Sequence, residues 1–159
     1  MQVKCTFYFF IYFLFIFYVI ILLKGVKNVN ISKFSDYAYR TLIYLAKNEK
    51  ELCTVEELSK NLSISEHHLK KIVQKLGKTD YITSIKGRNG GIKLGMKPED
   101  INLKNVLLTT EENLTLVECF SRGQCTCQKT GSCKLKIVMN KSLASFMEEL
   151  SNYSLADLL

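Results

Sequence analysis

The sequence lacks every motif that would mark an enzyme. Its 159 residues contain no nucleophile–base arrangement, no P-loop and no dinucleotide fingerprint. The glycine-rich stretch 87–91 is not followed by the helix that a phosphate-binding turn would precede. There is no internal repeat, and no low-complexity segment after residue 28. These absences disfavour catalysis, and the length predicts one compact domain with appendages.

Charged side chains are missing from residues 5–23, an apolar run between Lys4 and Lys24. The run is long enough to cross the core of a bilayer, but no small-residue cleavage site follows it, which disfavours a signal peptide. One interpretation is a membrane anchor that holds the rest of the chain in the cytoplasm. The other, which we favour, is that translation starts later, near Val26 or Val29. The protein would then be cytoplasmic and would have no anchor.

Acidic side chains are absent from residues 1–28 and too few to balance the basic ones in the middle of the chain. Residues 32–97 carry thirteen basic and seven acidic side chains, whereas residues 98–159 carry six and eight. A basic central part is typical of a nucleic-acid-binding surface, and an ordinary lysine-rich surface is the alternative.

The central part has the pattern of a helix-turn-helix. Ser35 is expected to cap a first helix that has Asp36 in its first turn, and a capping box at Thr54 opens a second. Ser65 is expected to cap a third helix over about residues 66–78. The apolar face of the first helix would consist of Phe34, Ala38, Thr41, Leu42, Leu45 and Ala46. The third helix would bury Leu69, Ile72, Val73 and Leu76.

A β-hairpin is predicted directly after the third helix. Residues 81–86 and 92–94 have the composition of strands, and Asn89 and Gly90 favour a turn because both tolerate positive φ. A hairpin in this place is the wing of a winged helix. Arg88 at its tip suits a narrow, electronegative minor groove.

Two more helices are predicted in the C-terminal part. One is expected to start at Pro98 and to end before Glu111, and its expected buried residues are Ile101, Val106 and Leu107. A long helix follows Cys133, with a continuous apolar stripe formed by Leu135, Val138, Met139, Leu143, Phe146, Met147 and Leu150. This stripe predicts a subunit interface, with packing on its own domain as the alternative. Residues 151–159 are expected to form a short extension.

Four of the six cysteines lie between residues 119 and 133, namely Cys119, Cys125, Cys127 and Cys133. Thiols this close are usually held by a disulfide, a zinc ion or an iron–sulfur cluster. Their spacing is not that of a zinc ribbon, and the wider intervals could surround a cluster, but the residues alone leave all three open. Cys53 is expected to be a small semi-buried residue, and Cys5 has no assigned role.

Residues 31–159 resemble the BadM/Rrf-type winged-helix repressors, and among them the nitric-oxide sensors and the regulators of cluster assembly. The matching stretches are FSDYAYR at 34–40, ISEHHLKKIVQKL at 64–76, GRNGGIKL at 87–94, LVEC at 116–119, 127–136 and 152–158. The resemblance implies a mostly α fold with a small β-wing. A winged helix-turn-helix domain over residues 29–98 would follow the apolar segment 1–28, and a cluster-binding loop with a long dimerisation helix would occupy residues 99–159.

The same resemblance implies a [2Fe–2S] or [4Fe–4S] cluster held by Cys119, Cys127 and Cys133. Asp36 occupies the position of a fourth ligand that the other subunit supplies. The additional Cys125 could take the place of Cys127. Without a cluster, Asp36 would simply complement the positive end of its helix.

The resulting hypothesis is a homodimeric, cluster-dependent repressor that binds a palindromic operator in double-stranded DNA and responds to nitric oxide. A redox or iron–sulfur-status regulator, or a zinc or thiol-switch transcription factor, is the alternative. The expected phosphate contacts are Lys70, Lys71, Lys75, Lys78 and Lys86. The expected base contacts are Glu66, His67, His68 and Gln74 in the major groove and Arg88 in the minor groove. The two histidines could instead bind a metal, but an exposed place on a recognition helix favours DNA.

Overall fold

The computed structural model describes residues 30–48, 52–112, 114, 116 and 133–159. The apolar segment 5–23 and the cysteines Cys119, Cys125 and Cys127 lie outside these residues. The helices and strands described below belong to one compact unit, Ser32–Leu159. None of the helices in the described ranges is long and apolar enough to cross a membrane.

Helix α1 spans Lys33–Lys47 and begins earlier than expected. Its cap is Ser32, whose hydroxyl accepts the N–H of Ser35 at 3.2 Å, so the prediction that Ser35 is the cap was wrong. Ser35 is fully buried in the first turn because its hydroxyl bonds to Thr110 of another helix at 2.8 Å. Asp36 lies in the first turn as predicted. The predicted apolar face is confirmed, with Phe34 half-buried and with full burial of Ala38, Thr41, Leu42, Leu45 and Ala46.

The helix-turn-helix is confirmed in helices α2 (Val55–Leu62) and α3 (Glu66–Leu76). Thr54 and Glu57 form the predicted capping box, and Ser63 ends α2 in the left-handed region with a φ of 54°. Ser65 caps α3 as predicted, and α3 ends slightly earlier than expected, before Gly77. The core side of α3 is formed by the buried Leu69, Ile72 and Leu76, with Val73 half-buried.

The wing consists of strands β1 (Ile82–Ile85) and β2 (Gly91–Leu94), paired antiparallel with Ile85 opposite Gly91. Its turn is closed by the N–H of Gly90, which donates to the carbonyl of Gly87 at 3.0 Å. The residue of the turn that adopts positive φ is Gly87, at 116°, rather than Asn89 or Gly90, which were expected to tolerate it. The register follows from burial of Ile82 and Ile92, and it leaves residues 86–90 between the strands, where residues 87–91 were expected.

The helix predicted from Pro98 is interrupted. A 3₁₀ turn, Pro98–Asp100, is followed by an extended Ile101 and then by α4 (Leu103–Thr110). The break is stabilised by the C-terminal tail, because Ile101 accepts the N–H of Leu155 at 2.8 Å and Leu103 donates to the carbonyl of Tyr153 at 3.0 Å. The expected burial is confirmed for Ile101, Val106 and Leu107.

The long C-terminal helix, α5, spans Lys134–Ser151 and packs against α4. None of its residues is fully buried. The half-buried members of the predicted stripe are Met139, Leu143, Met147 and Leu150, whereas the exposed members are Leu135, Val138 and Phe146. The tail after α5 is more than an extension, because Leu155 in the 3₁₀ turn Leu155–Leu158 is completely buried in the core.

Helix α1 is the central element of the fold, since α2, α3, α4 and β2 all pack against it. The buried side chains of these elements and Leu155 of the tail form one hydrophobic core. This arrangement is a mostly helical winged helix-turn-helix with a long C-terminal helix. It leaves the outer face of α3 and the tip of the wing exposed.

Candidate nucleic-acid interface and metal site

The outer face of α3 presents most of the predicted DNA-contacting side chains to solvent. The exposed members are Glu66, His67, His68, Lys70, Lys71, Gln74 and Lys78. Lys75 was expected to be exposed as well but is half-buried, because it lies next to the buried Leu76 at the C-terminal end of α3. The lysine stem can still carry its charge outward from such a position. The face is therefore basic and accessible over the length of the helix.

Two side-chain contacts order the beginning of α3. Lys70 forms an ion pair with Glu66 at 3.1 Å, and both are exposed, so the pair contributes little to stability. Ser65 Oγ lies 3.1 Å from Nδ1 of His68 and also accepts the His68 backbone N–H at 3.5 Å. The ring of His67 lies 6.2 Å from that of His68. The ion pair and the Ser65 contact restrict side chains expected to approach DNA.

The wing carries a second group of basic side chains. Lys86 and Arg88 are exposed next to the turn, and Lys93 is exposed on β2. The wing is anchored beneath by Cys53, whose N–H and carbonyl both pair with Ile92, at 2.9 and 2.8 Å. Cys53 is only 5% exposed, more buried than predicted. α3 and the wing are thus two basic elements on one scaffold, the arrangement that winged helices use on duplex DNA.

Helix α1 extends this surface in a way that sequence reasoning missed. Arg40 binds Asp36 through two contacts, Nε to Oδ1 at 3.0 Å and Nη2 to Oδ2 at 2.9 Å. The guanidinium lies 6.0 Å from the centre of the Tyr37 ring. The Tyr37 ring in turn lies 6.0 Å from the ring of His68 on α3, tilted by 52°. The sequence spacing indicates the contact between Asp36 and Arg40, because residues four apart are neighbours on the surface of a helix.

A second unpredicted cluster joins the start of α1 to the end of α4. Glu111 Oε1 accepts the backbone N–H of Ser32 at 2.8 Å and the hydroxyl of Ser35 at 2.6 Å. Burial works to raise the pKa of Glu111, but the hydrogen bonds from Ser35 and Ser32 outweigh it and hold the pKa below its ordinary value. Glu111 therefore stabilises the N-terminus of α1 from the C-terminal end of α4.

The predicted cluster ligands are only partly described. Cys133 is half-buried at the cap position of α5, where the helix dipole favours a negatively charged ligand. Asp36 is accessible, with 39% of its side chain exposed. The described ranges contain no group of three or more residues that could hold a metal ion. By donor chemistry, the half-buried Cys133 thiol and the accessible Asp36 carboxylate would fit an iron–sulfur cluster whose remaining ligands are cysteines.

The family model described as "Rrf2: Iron-dependent Transcriptional regulator" matches residues 31–159. The "HTH-type transcriptional regulator NsrR" of Geobacillus kaustophilus is 43% identical over 132 residues, which cover 82% of this chain and 90% of that protein. The protein of the same name from Bacillus licheniformis is 41% identical over 132 residues, covering 82% of this chain and 92% of the relative.

A solved structure, that of T. potens IscR, has the same fold. It aligns with a TM-score of 0.69 at 22% identity and covers 84% of this chain and 88% of the other. The mostly helical architecture with its two-stranded wing is therefore shared with this solved structure.

Proposed function

Because the chain belongs to the Rrf2 family of DNA-binding transcriptional regulators and is not an enzyme, we propose that it is an iron–sulfur-dependent repressor that senses nitric oxide. The observation that carries this proposal is the cysteine-rich segment 119–133 in a chain about 40% identical to regulators named NsrR. A DNA-binding regulator of this kind acts where the chromosome is, in the cytoplasm.

On the DNA side, α3 enters the major groove. The lysines that contact phosphates are Lys70, Lys71, Lys75, Lys78 and Lys86, whereas Glu66, His67, His68 and Gln74 face base edges. Arg88 reaches from the wing into the minor groove. What supports this assignment is the exposure of the outer side of α3 and of the wing turn.

On the sensor side, Cys119, Cys127 and Cys133 hold the cluster together with Asp36 of the other subunit. Cys125 is the alternative to Cys127. When bound, the cluster supplies iron that nitric oxide can ligate in place of a thiolate. Asp36 must leave its two contacts with Arg40, or share them, in order to bind iron.

The contacts of Asp36 suggest how the sensor reaches the DNA-binding surface. Arg40 lies over Tyr37 while Asp36 holds it, and Tyr37 lies against His68 of α3. If Asp36 exchanges Arg40 for iron, the contacts that hold Tyr37 against His68 of the recognition helix therefore change. The cluster site and the DNA-binding surface are coupled only if the protein with the intact cluster and the protein without it bind DNA with different affinity.

Dimerisation through α5 is supported by its exposed apolar side chains. Leu135, Val138 and Phe146, which lie on one side of the helix, are 60%, 56% and 44% exposed. An exposed apolar face of this kind marks an interaction surface, and a twofold dimer matches a palindromic operator. A second subunit would also bring Asp36 to the cysteines of its partner.

One observation favours a second candidate function. Cys125 is a fourth thiol in the segment, and a set of four thiols also suits a zinc or disulfide switch. A redox or iron–sulfur-status regulator would share the cluster and differ only in its signal.

The test is purification without oxygen, followed by an absorption spectrum and assays of iron and acid-labile sulfide. We expect a brown protein that loses its colour with nitric oxide and then binds operator DNA more than tenfold more weakly. Operator affinity that stays within twofold would refute the sensor, and colourless or zinc-containing protein would favour the thiol switch.

Variants and a shortened chain sharpen this experiment. C119S and C133S should abolish the cluster. C53S is the control and should leave the cluster intact, because Cys53 is buried beneath the wing. Comparing C125S with C127S shows which of these two cysteines is the remaining ligand. The full chain and a fragment of residues 29–159 should give the same spectrum if the apolar segment has no part in sensing.

A further inference from the structure

Two contacts from different elements converge on His68. Ser65, at the cap of α3, approaches Nδ1 at 3.1 Å, and Tyr37 of α1 lies against the ring at 6.0 Å. We propose that Tyr37 and Ser65 are positioning residues that hold the His68 imidazole with an Nε2–H donor directed to the DNA, where it recognises N7 of a purine. The inference rests on the proposed role of α3 in the major groove.

Ser65 is placed to donate its hydroxyl hydrogen to Nδ1 of His68, and we assign the ring tautomer on this basis. Ser65 Oγ already accepts the backbone N–H of His68 at 3.5 Å, and its hydroxyl has one hydrogen to donate. Nδ1 of His68, at 3.1 Å, is the acceptor that lies within reach of that hydrogen. If Nδ1 accepts, the neutral ring carries its own hydrogen on Nε2. Among the described residues, no hydrogen bond engages Nε2, which leaves it for a ligand.

Tyr37 restrains the ring from the side. The 6.0 Å separation and the 52° tilt are within the favourable range for aromatic pairs. Tyr37 cannot easily turn away, because it packs against the core and the Asp36-bound guanidinium of Arg40 lies 6.0 Å from its ring. Holding His68 before DNA arrives removes the entropy cost of ordering it on binding, and so favours affinity and selectivity.

The donor on Nε2 defines the base that His68 can recognise. In the major groove, an N–H donor can bond to N7 of either purine, to O6 of guanine or to O4 of thymine, whereas cytosine presents only an amino donor. A histidine that presents this donor is therefore disfavoured at cytosine, and we assign its acceptor to N7, which both purines share. A glutamine can place its amide N–H near the same position, but an alanine cannot.

The test begins with selection of binding sites by the full-length protein, prepared without oxygen, from a random-sequence duplex library. We expect one purine position whose preference, about 5- to 150-fold, is lost in H68A and kept in H68Q. Replacing that purine by its 7-deaza analogue should weaken wild-type binding by the same factor and leave H68A binding unchanged.

Tyr37 is tested by the same selection. Y37F, which keeps the ring, should retain the purine preference, whereas Y37L should reduce it several-fold with unchanged affinity for non-specific duplex. Equal weakening at every position and on non-specific DNA would mean a merely structural role and overturn the positioning proposal. A motif that H68A and the 7-deaza analogue leave intact would overturn the histidine assignment alone. Failure to select any motif would overturn the role of α3 itself.

Discussion

Single residues at the ends of α1 and α4 hold the two helices together. Glu111 accepts from Ser32 and Ser35, and the Ser35 hydroxyl oxygen also lies 2.8 Å from that of Thr110. The first N–H groups of a helix have no partner within the helix, so a carboxylate supplied from a distant element stabilises the N-terminus. Because Asp36 lies in the same turn, this contact also fixes the position of the proposed ligand.

Replacing Glu111 by glutamine should destabilise the fold by about 1–2 kcal/mol at pH 7, because charge-assisted hydrogen bonds become neutral ones. The pKa of Glu111 is lower in the folded state than its ordinary value of 4.5, so its contribution is present above about pH 4.5 and is lost as the pH falls further. The free energy of unfolding of wild type and E111Q is measured by denaturant unfolding at several pH values from roughly pH 3 to 8. E112Q, at the exposed neighbouring position, is the control, and equal stability of E111Q and wild type at pH 7 would contradict the role.

Tyr39 is a second residue whose environment has a measurable consequence. Its hydroxyl donates to the carbonyl of Leu103 at 2.7 Å, and burial, with a further contribution from the charge of Glu111, raises its pKa to about 12. We expect an ultraviolet titration to contain a tyrosine that ionises near this value and is missing in Y39F. Because the folded pKa is raised, the protein should lose stability as the pH rises from about 10 to 12. If Y39F gives the same titration curve, the assignment fails.

At the scale of elements, the shape of the wing depends on the close approach of its two strands. A Cβ on Gly90 would lie 2.2 Å from the Ile85 carbonyl oxygen and 2.9 Å from that of Gly87, and both contacts are with backbone. A side chain there must push the turn open. Ile82 lies at the far end of the hairpin from the turn, and Ile92, two residues from Gly90, is held by its two backbone hydrogen bonds with Cys53.

G90A should therefore weaken binding to operator DNA by about tenfold, the order of one lost contact in a site. The melting temperature should change little. N89A is the matched control, because Asn89 already carries a Cβ in the same turn and its replacement should bind within twofold of wild type. A G90A protein with normal affinity would show that Arg88 does not need the present shape of the turn.

The C-terminal tail, residues 152–159, is part of the hydrophobic core rather than an appendage. Leu155 is completely buried, and the tail pairs with the chain before α4 through Ile101 and Leu103. Leu155→Ala should cost about 2–5 kcal/mol, whereas L158A should cost far less because Leu158 is 42% exposed. Chemical denaturation of both variants distinguishes them, and equal losses would place the tail outside the core.

At the scale of the molecule, the basic surplus of residues 32–97 determines how binding responds to salt. Each phosphate contact releases counterions, so the logarithm of affinity falls linearly with the logarithm of salt concentration. K71A and K78A should each reduce the magnitude of that slope by about 0.9 for every phosphate contact removed. K141A, on α5, should leave the slope unchanged. An unchanged slope in the α3 variants would argue against this face as the DNA-binding surface.

The helices were predictable wherever a local pattern had no competing partner. The capping box at Thr54, the cap at Ser65 and the apolar periodicity of α1 and α3 depend on neighbours within a few residues, and all were confirmed. Ser35 was misjudged because Ser32 is chemically as good a cap. The choice between the two depended on Thr110 and Glu111, far along the chain.

Long-range pairing explains the other differences in the same way. The helix expected from Pro98 was broken by hydrogen bonds to the tail, and the connection of the wing lies at residues 86–90 instead of 87–91 because burial of Ile82 and Ile92 set the strand register. Periodicity and capping are short-range properties, so the amino-acid order alone was enough for the helix-turn-helix, the wing and the cysteine motif. The contacts from Asp36 through Arg40 and Tyr37 to His68, and the attachment of Glu111 to α1, arise only when the packed core brings separate helices within reach of short-range forces.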